Sequence, residues 1–309
     1  YYSRYYRCSK IANINSNYAG VNTGAQILGI VTSSGATGLN TITNNHIFNL
    51  NATSANAGTL LSASVIGILN QRTTVTAPGQ VISNNIVHSL TNTNASAAVQ
   101  VLGIANSGGA SGTNIIAKNF VHSLNISSSN LTSTIIGILN NAGLASYQNN
   151  MIRLGIDPSG NSISNGCNII GMQHTSTTAA NTYYFNSVSI GGSAVTGTNN
   201  TYAFYRSTGT AAVTIRNNIF SNSRSNGVGT GLHFAIGLPV SITGVVSNNN
   251  LFYTGGIGGN VGLQVATTRN SLGDWQTNTS QDAASFYENV TFVNANGNAT
   301  NVNLHVNNV

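Results

Sequence analysis

The chain has 309 residues, 40% hydrophobic and only 5% charged, with ten Lys and Arg against four Asp and Glu for a net charge of +6. An average soluble protein is about 25% charged, so polarity here rests on uncharged side chains, asparagine alone supplying about one residue in six. Disorder, which goes with low hydrophobicity and high net charge, is excluded; scattered cations without a basic and aromatic face argue against nucleic acid, and no apolar run is long enough to span a bilayer.

The first residues hold one basic and aromatic cluster, Arg4 and Arg7 among Tyr1, Tyr2, Tyr5 and Tyr6, which reads as an edge strand. No signal-peptide core precedes them, and Cys8-Ser9-Lys10-Ile11 already aligns with Asn44-Asn45-His46-Ile47. The sequence is therefore expected to be a processed mature protein or a piece of a longer one. A repeat then runs through most of the chain. Asn45, Asn85, Asn119, Asn150, Asn186, Asn218 and Asn250 recur 31 to 40 residues apart, with Ser9 in the same place before them. A second column of small residues, Gly29, Gly67, Gly103, Gly137, Gly171, Ala203 and Ala235, keeps step 13 to 18 positions ahead. Two columns in step with variable loops between them mean one supersecondary unit stacked about eight times.

One unit reads from Ala98 to Leu124. Val101 to Ile104 is a short strand, 107–112 a turn, Ile115 to Ala117 a second strand, Lys118-Asn119 a corner, and Phe120 to Leu124 a third strand. Strands this short, between Gly- and Asn-rich corners, do not make the hairpins of a sandwich. Stacked in parallel on their equivalents one coil on, they make a parallel β-helix around a continuous prism of side chains. The residue two places after each column asparagine is apolar every time (Ile47, Val87, Val121, Ile152, Val188, Phe220, Phe252), as an inward column requires. The next residue outward reads Phe48, His88, His122, Arg153, Ser189, Ser221 and Tyr253, and a solvated face is expected there. His88 and His122, without a third ligand, fall short of a zinc site.

Asparagine suits the corner on two counts. It tolerates the left-handed backbone of a sharp bend, and its amide can bond to its own copies one coil away. Asn200, outside the column, falls in a loop. The small residues are expected to admit a close approach of backbone or loop. Cys8 and Cys167 fall in the first and fifth coils, about 20 Å apart at about 4.8 Å per stacked strand, beyond disulfide reach. The pattern ends near Leu263, dividing the chain into repeats over 1–263 and a cap with final strands over 264–309. There Ser271 reads as a helix N-cap with Asp274 at the third helical position. Leu272, Trp275 and Phe286 are expected to cover the last coil, whose edge is otherwise exposed.

The units TITNNHIFNL, VISNNIVHSL and AKNFVHSLNI resemble the Asn-rich β-strand-repeat proteins, large secreted or surface-attached proteins of bacteria that use the type IX secretion route. The tail is similar to that family's last coil and cap in NNNLFYTGG, SLGDWQTNTSQDAASF and VTFVNANGNATNVNLHV. The family usually carries an aspartate before its final strand, where this chain has Asn303. The resemblance covers nearly the whole chain. It implies a right-handed parallel β-helix and an extracellular or cell-surface location; most members have no defined activity.

Glycoside hydrolysis needs two carboxylates across the scissile bond, and a calcium-dependent lyase needs several around the metal. The chain has only Asp157, Asp274, Asp282 and Glu288. Asp157 reads as a turn residue and Asp274 as part of the helix cap, which leaves Asp282 with Glu288 as the one pair to weigh. No catalytic residue, metal or cofactor is assigned. Exposed tyrosines beside asparagines can stack on sugars and bond their hydroxyls. Tyr183, Tyr184, Tyr202, Tyr205 and Tyr253 are therefore candidate sugar-binding residues, against the alternative of an internal aromatic stack.

The sequence thus reads as an all-β protein: a right-handed parallel β-helix (solenoid) of about eight coils with a C-terminal helical cap. Its asparagine column is a structural ladder. The expected function is that of an extracellular adhesin stalk or a filament or matrix subunit. A carbohydrate-binding module is the alternative, and a polysaccharide-degrading enzyme comes third. Expected partners are further copies stacked on an uncovered first coil, and surface glycans.

Overall fold

A sharp bend needs a residue in the left-handed backbone region, and every coil supplies one just before its column asparagine. Asn44, Asn84, Lys118, Asn149, Phe185, Asn217 and Asn249 have φ between 52° and 58°. This corrects the conformational half of the argument for asparagine: the column residue follows the bend and does not make it. Lys118 and Phe185 gain nothing from side-chain chemistry in that conformation, so in their coils the stack itself imposes the turn.

In the computed structural model these bends separate the first of three sheets from the second; it describes residues 4–7, 9–22, 24–33, 38–72, 79–178, 180–207 and 209–307. Cys8 and the side chains of the Tyr1 to Arg7 cluster lie outside the described residues. The first sheet runs from Arg4–Arg7 and Asn40–Thr43 to Val245–Asn248, the second from Lys10–Ser16 to Phe286–Tyr287, and the third from Ile27–Thr32 to Gly259–Gln264. Pairing between coils is parallel and in register one coil on, as for Val121 with Val87 and Ile152, and Thr267–Arg269 adds one antiparallel strand at the edge of the third sheet. The protein is a parallel β-solenoid of about eight turns. Among the described residues no helix is long and apolar enough to cross a membrane.

The predicted inward column is fully buried: Ile47, Val87, Val121, Ile152, Val188, Phe220 and Phe252 are all 0% exposed. The small column faces it across the interior. A Cβ on Gly103 would lie 2.3 Å from Val121 Cγ1 and 2.6 Å from the Gly137 carbonyl oxygen, so close approach is its physical reason. The strand turns over at this glycine. Val101 and Ile104 both reach the main core, while Leu102 and Ala105 join a second apolar cluster on the other side of the sheet.

From Asn85 to Asn218 every column asparagine makes the same bonds to the next. Asn119 Oδ1 accepts from the backbone N–H of Asn85 at 3.1 Å and from Asn85 Nδ2 at 2.9 Å. Its own Nδ2 donates to Asn150 Oδ1 at 3.0 Å and to the Ile82 carbonyl at 2.9 Å. Ser9 stands in line as expected, its N–H donating to Asn45 Oδ1 at 3.2 Å. Buried amide groups are satisfied in this way in both directions along the axis.

A second interior ladder went unread in the sequence. Thr32, Asn70, Asn106, Asn140, His174 and Arg206 are paired in register along the third sheet. Thr32 donates to Asn70 Oδ1 at 3.0 Å, and Asn70 Nδ2 to Asn106 Oδ1 at 2.8 Å. Further on, the Tyr183 hydroxyl meets His174 Nδ1 at 3.0 Å and accepts from Asn140 Nδ2 at 3.3 Å. Burial holds His174 down at about 4, with Arg206 acting in the same direction.

The asparagine ladder ends on an acid. Asn250 Nδ2 donates to Asp282 Oδ1 at 3.0 Å, which also accepts from Ser247 Oγ and Ser285 Oγ, while Asp282 Oδ2 accepts from Trp275 Nε1 at 2.9 Å. Trp275 lies in the helix Leu272–Thr279, which begins as predicted, with Ser271 Oγ accepting from the Asp274 N–H. The indole is 0% exposed and lies against Gly262, where a Cβ would meet it at 2.2 Å. Leu272 packs on the same core. Phe286 does not: it is 61% exposed, because its strand continues the second sheet and its side chain points away from the prism.

Candidate binding face beneath the C-terminal hairpin

After the cap the chain turns back along the outside of the second sheet. Phe292–Asn294 and Asn303–Val306 pair antiparallel. The segment between them reaches the coil of Asn150, where the Ala299 N–H donates to the Pro158 carbonyl at 3.0 Å and Arg153 Nη2 to the Gly297 carbonyl at 2.9 Å. The outward column expected to be solvated is therefore largely covered: His122 is 3%, Arg153 0%, and Ser189 and Ser221 each 5% exposed. Two clefts remain between hairpin and sheet.

One cleft, of about 420 Å³, lies between His46, Phe48, Ile86, His88, Phe120 and His122 and the hairpin residues Ala299, Thr300 and Val302. Stacking at the coil repeat places the rings face to face: Phe48 on His88 at 5.1 Å and His88 on His122 at 4.7 Å, both pairs nearly parallel. His46 Nε2 and His88 Nε2 are 2.7 Å apart. Two imidazoles on one tetrahedral zinc, with bonds of about 2.0–2.1 Å, would stand about 3.3 Å apart, so this is a shared proton. Among the described residues no three His, Cys, Asp or Glu are grouped to hold a metal. Arg153 Nη2 donates to Ser123 Oγ at 2.8 Å, and that hydroxyl bonds His122 Nδ1 at 3.0 Å. Arg153 Nη1 is spent on the Ile156 carbonyl at 2.6 Å.

These imidazoles are neutral at physiological pH. Burial, then the neighbouring His46, pushes His88 down to about 4, and burial, then His88, Arg153 and His46, pushes His122 to about 2. Both lie below the ordinary 6.5, so the unfolded chain takes up protons first as pH falls. The stability that neutral His88 contributes is complete above pH 6.5 and is lost between 6.5 and about 4; for His122 the loss continues toward about 2. Melting temperature is expected to fall across that window, and less steeply in a His88→Gln variant. The same slope in both proteins would show that His88 does not link to folding.

The second cleft, of about 350 Å³, lies between Ser189, Ser221, Ser223 and Tyr253 and the chain from Asn289 to Asn296. Of the five candidate tyrosines Tyr253 alone lines either of these two clefts, and the structure does not bring the five together. Tyr183 and Tyr184 are in the first sheet, Tyr202 and Tyr205 in the third, and Tyr253 in the second. Tyr183 is 1% exposed and stacks on Tyr147 inside the core at 4.8 Å. Tyr202 is 8% exposed and stacks on Phe234 at 5.2 Å. Neither can meet a ligand from solution. Tyr184 and Tyr205 are half-buried on faces apart from the clefts.

The acids are likewise dispersed. Asp157 Oδ1 accepts from the N–H groups of Ser159 and Asn161 in a turn. Asp274 meets Arg269 at 3.3 Å. Asp282 is enclosed by its four donors, while Glu288 is exposed, so the pair weighed from the sequence does not share a surface. The Cys167 thiol is buried and raised to about 11 by burial, which makes it a poor nucleophile. What sequence reasoning missed was the cover itself, which comes from 144 residues beyond Arg153. Comparison with protein-family models, with curated proteins and with solved structures gave no match.

Proposed function

We propose that the protein is an extracellular structural rod, an adhesin stalk or a filament or matrix subunit, whose copies stack end to end. The observation that carries this reading is the stack of about eight like coils paired in register, which presents the same kind of strand edge at each step along its axis. Trp275 and its helix close one end. At the other, among the described residues, Arg4–Arg7, Lys10–Ser16 and Ile27–Thr32 are each the outermost strand of their sheet. Ile14 is 39% exposed there, whereas Leu50 and Leu90, next in its register, are 0%. Open strand edges around an apolar ring are a template for another coil, whether of sequence preceding Tyr1 or of a second copy.

At the capped end Phe286 and Tyr287, on the last strand of the second sheet, are 61% and 42% exposed and offer a facing surface. Contact between unlike ends is heterologous, and it repeats into a filament unless the rotation closes a ring. Few charges oppose close approach. The resemblance of the repeat units and tail to the Asn-rich β-strand-repeat proteins of bacteria with type IX secretion supports the extracellular setting.

Electron microscopy and sedimentation test the proposal. Axial oligomers are expected, with a repeat of roughly 40–50 Å for eight coils at about 4.8 Å plus the cap. An Ile14→Lys variant is expected to stay monomeric. A wild-type protein that remains monomeric at its highest soluble concentration overturns end-to-end assembly.

A further inference from the structure

We infer that the cleft beside Tyr253 binds an uncharged glycan through the hydroxyls of Ser189 and Ser221. These two serines are neighbours in register, followed by Tyr253 one coil on. Each is 5% exposed, and both line the cleft, yet neither hydroxyl has a hydrogen-bond partner among the described residues. Both hydroxyls open onto the cleft rather than being enclosed, and a serine hydroxyl can donate one bond and accept two. Two such groups held one coil apart and facing the same space form a preset pair for a ligand with adjacent hydroxyls.

The rest of the lining fits the same chemistry. Asn289, Asn294 and Asn296 supply amides, Phe292 an apolar surface, and Tyr253 a half-exposed ring whose hydroxyl has no partner among the described residues; no lining residue is charged. Arg153 precedes Ser189 in the column, but its outer nitrogens are committed to Ile156, Ser123 and Gly297. An anionic ligand would lose hydration without meeting a free cation, and a cationic one would find no carboxylate. A volume of about 350 Å³ lies in the range of small-ligand sites. The lining is mostly polar, with serine, threonine and asparagine side chains, and an aromatic ring beside hydroxyl partners suits a sugar ring.

The test is titration calorimetry with cellohexaose, xylohexaose, laminarihexaose and mannohexaose as neutral probes and an oligogalacturonate as the anionic one. Binding of at least one neutral probe is expected, with Kd raised about tenfold in Ser189→Ala/Ser221→Ala and in Tyr253→Ala. The serine hydroxyls have no partner among the described residues, so the double variant is expected to keep the wild-type melting temperature. Failure of every neutral probe to bind overturns the inference. So does equal affinity for oligogalacturonate, or neutral binding that survives both variants. The Ile14→Lys protein, monomeric but with an intact cleft, is expected to bind as the wild type does, which separates this inference from end-to-end assembly.

Discussion

Replacing Asp282 with alanine is expected to cost about 4 kcal/mol or more and to loosen the cap before the coils. The carboxylate accepts from Ser247, Asn250, Ser285 and the indole of Trp275, and it is 1% exposed. Hydrogen bonds to an ionised group contribute about 1.5–3 kcal/mol each, and donors left unpaired in the interior add a desolvation cost. Repeat proteins lose their ends first when a terminal interface weakens. Trp275 is the single tryptophan of the chain, so its emission reports the cap alone. In the wild type its red shift and the loss of β-sheet circular dichroism are expected to coincide in denaturant. In Asp282→Ala the red shift should come first. Asp282→Asn keeps the shape but turns an acceptor into a donor beside other donors, so an intermediate loss is expected. Coincident transitions in Asp282→Ala would refute the view that this acid joins ladder to cap.

Asp282 also shows where pattern reading stops. It lies 32 residues after Asn250, the interval that also separates Asn186 from Asn218 and Asn218 from Asn250. The rung was present in the spacing. It was concealed because a carboxylate can accept where an amide accepts, and a column defined by one residue type passes over the substitute. Thr32, Asn70, Asn106, Asn140, His174 and Arg206 were concealed in the same way: each stands three residues after its small-column residue, but their shared property is polarity in the interior. The stack of identical positions made Asn45 to Asn250 and the inward Ile47 to Phe252 column legible, because every coil meets the same packing constraint.

The covering of His122 and Arg153 was not legible on those terms. Periodicity describes contacts between equivalent positions, and Gly297 is equivalent to nothing in the repeat. The same limit explains the tyrosines. Tyr183, Tyr202 and Tyr253 are close in sequence type but occupy different sheets, and only the register of each strand decides which ring points inward.

Replacing Asn119 with alanine is expected to lower stability by about 2–4 kcal/mol. The change strands the Asn85 N–H and one Asn85 Nδ2 hydrogen, both of which donate to Asn119 Oδ1, at about 1–3 kcal/mol for each buried unsatisfied group. It also leaves the Ile82 carbonyl without its side-chain donor. Asn119 is 1% exposed, so water reaches the gap only by entering the corner. The comparison must be an asparagine with no such role. Asn200 is not one, although it lies in a loop as the sequence suggested: its Oδ1 accepts from the Leu232 N–H at 2.8 Å and its Nδ2 meets the Tyr202 hydroxyl at 3.2 Å. Asn270 is exposed and has no side-chain partner among the described residues, and Asn270→Ala is expected to change stability by less than about 0.5 kcal/mol. Chemical denaturation of the two variants decides the matter. Equal midpoints would mean that the amide column is stacked without bearing on stability, and that the apolar prism alone holds the coils in register.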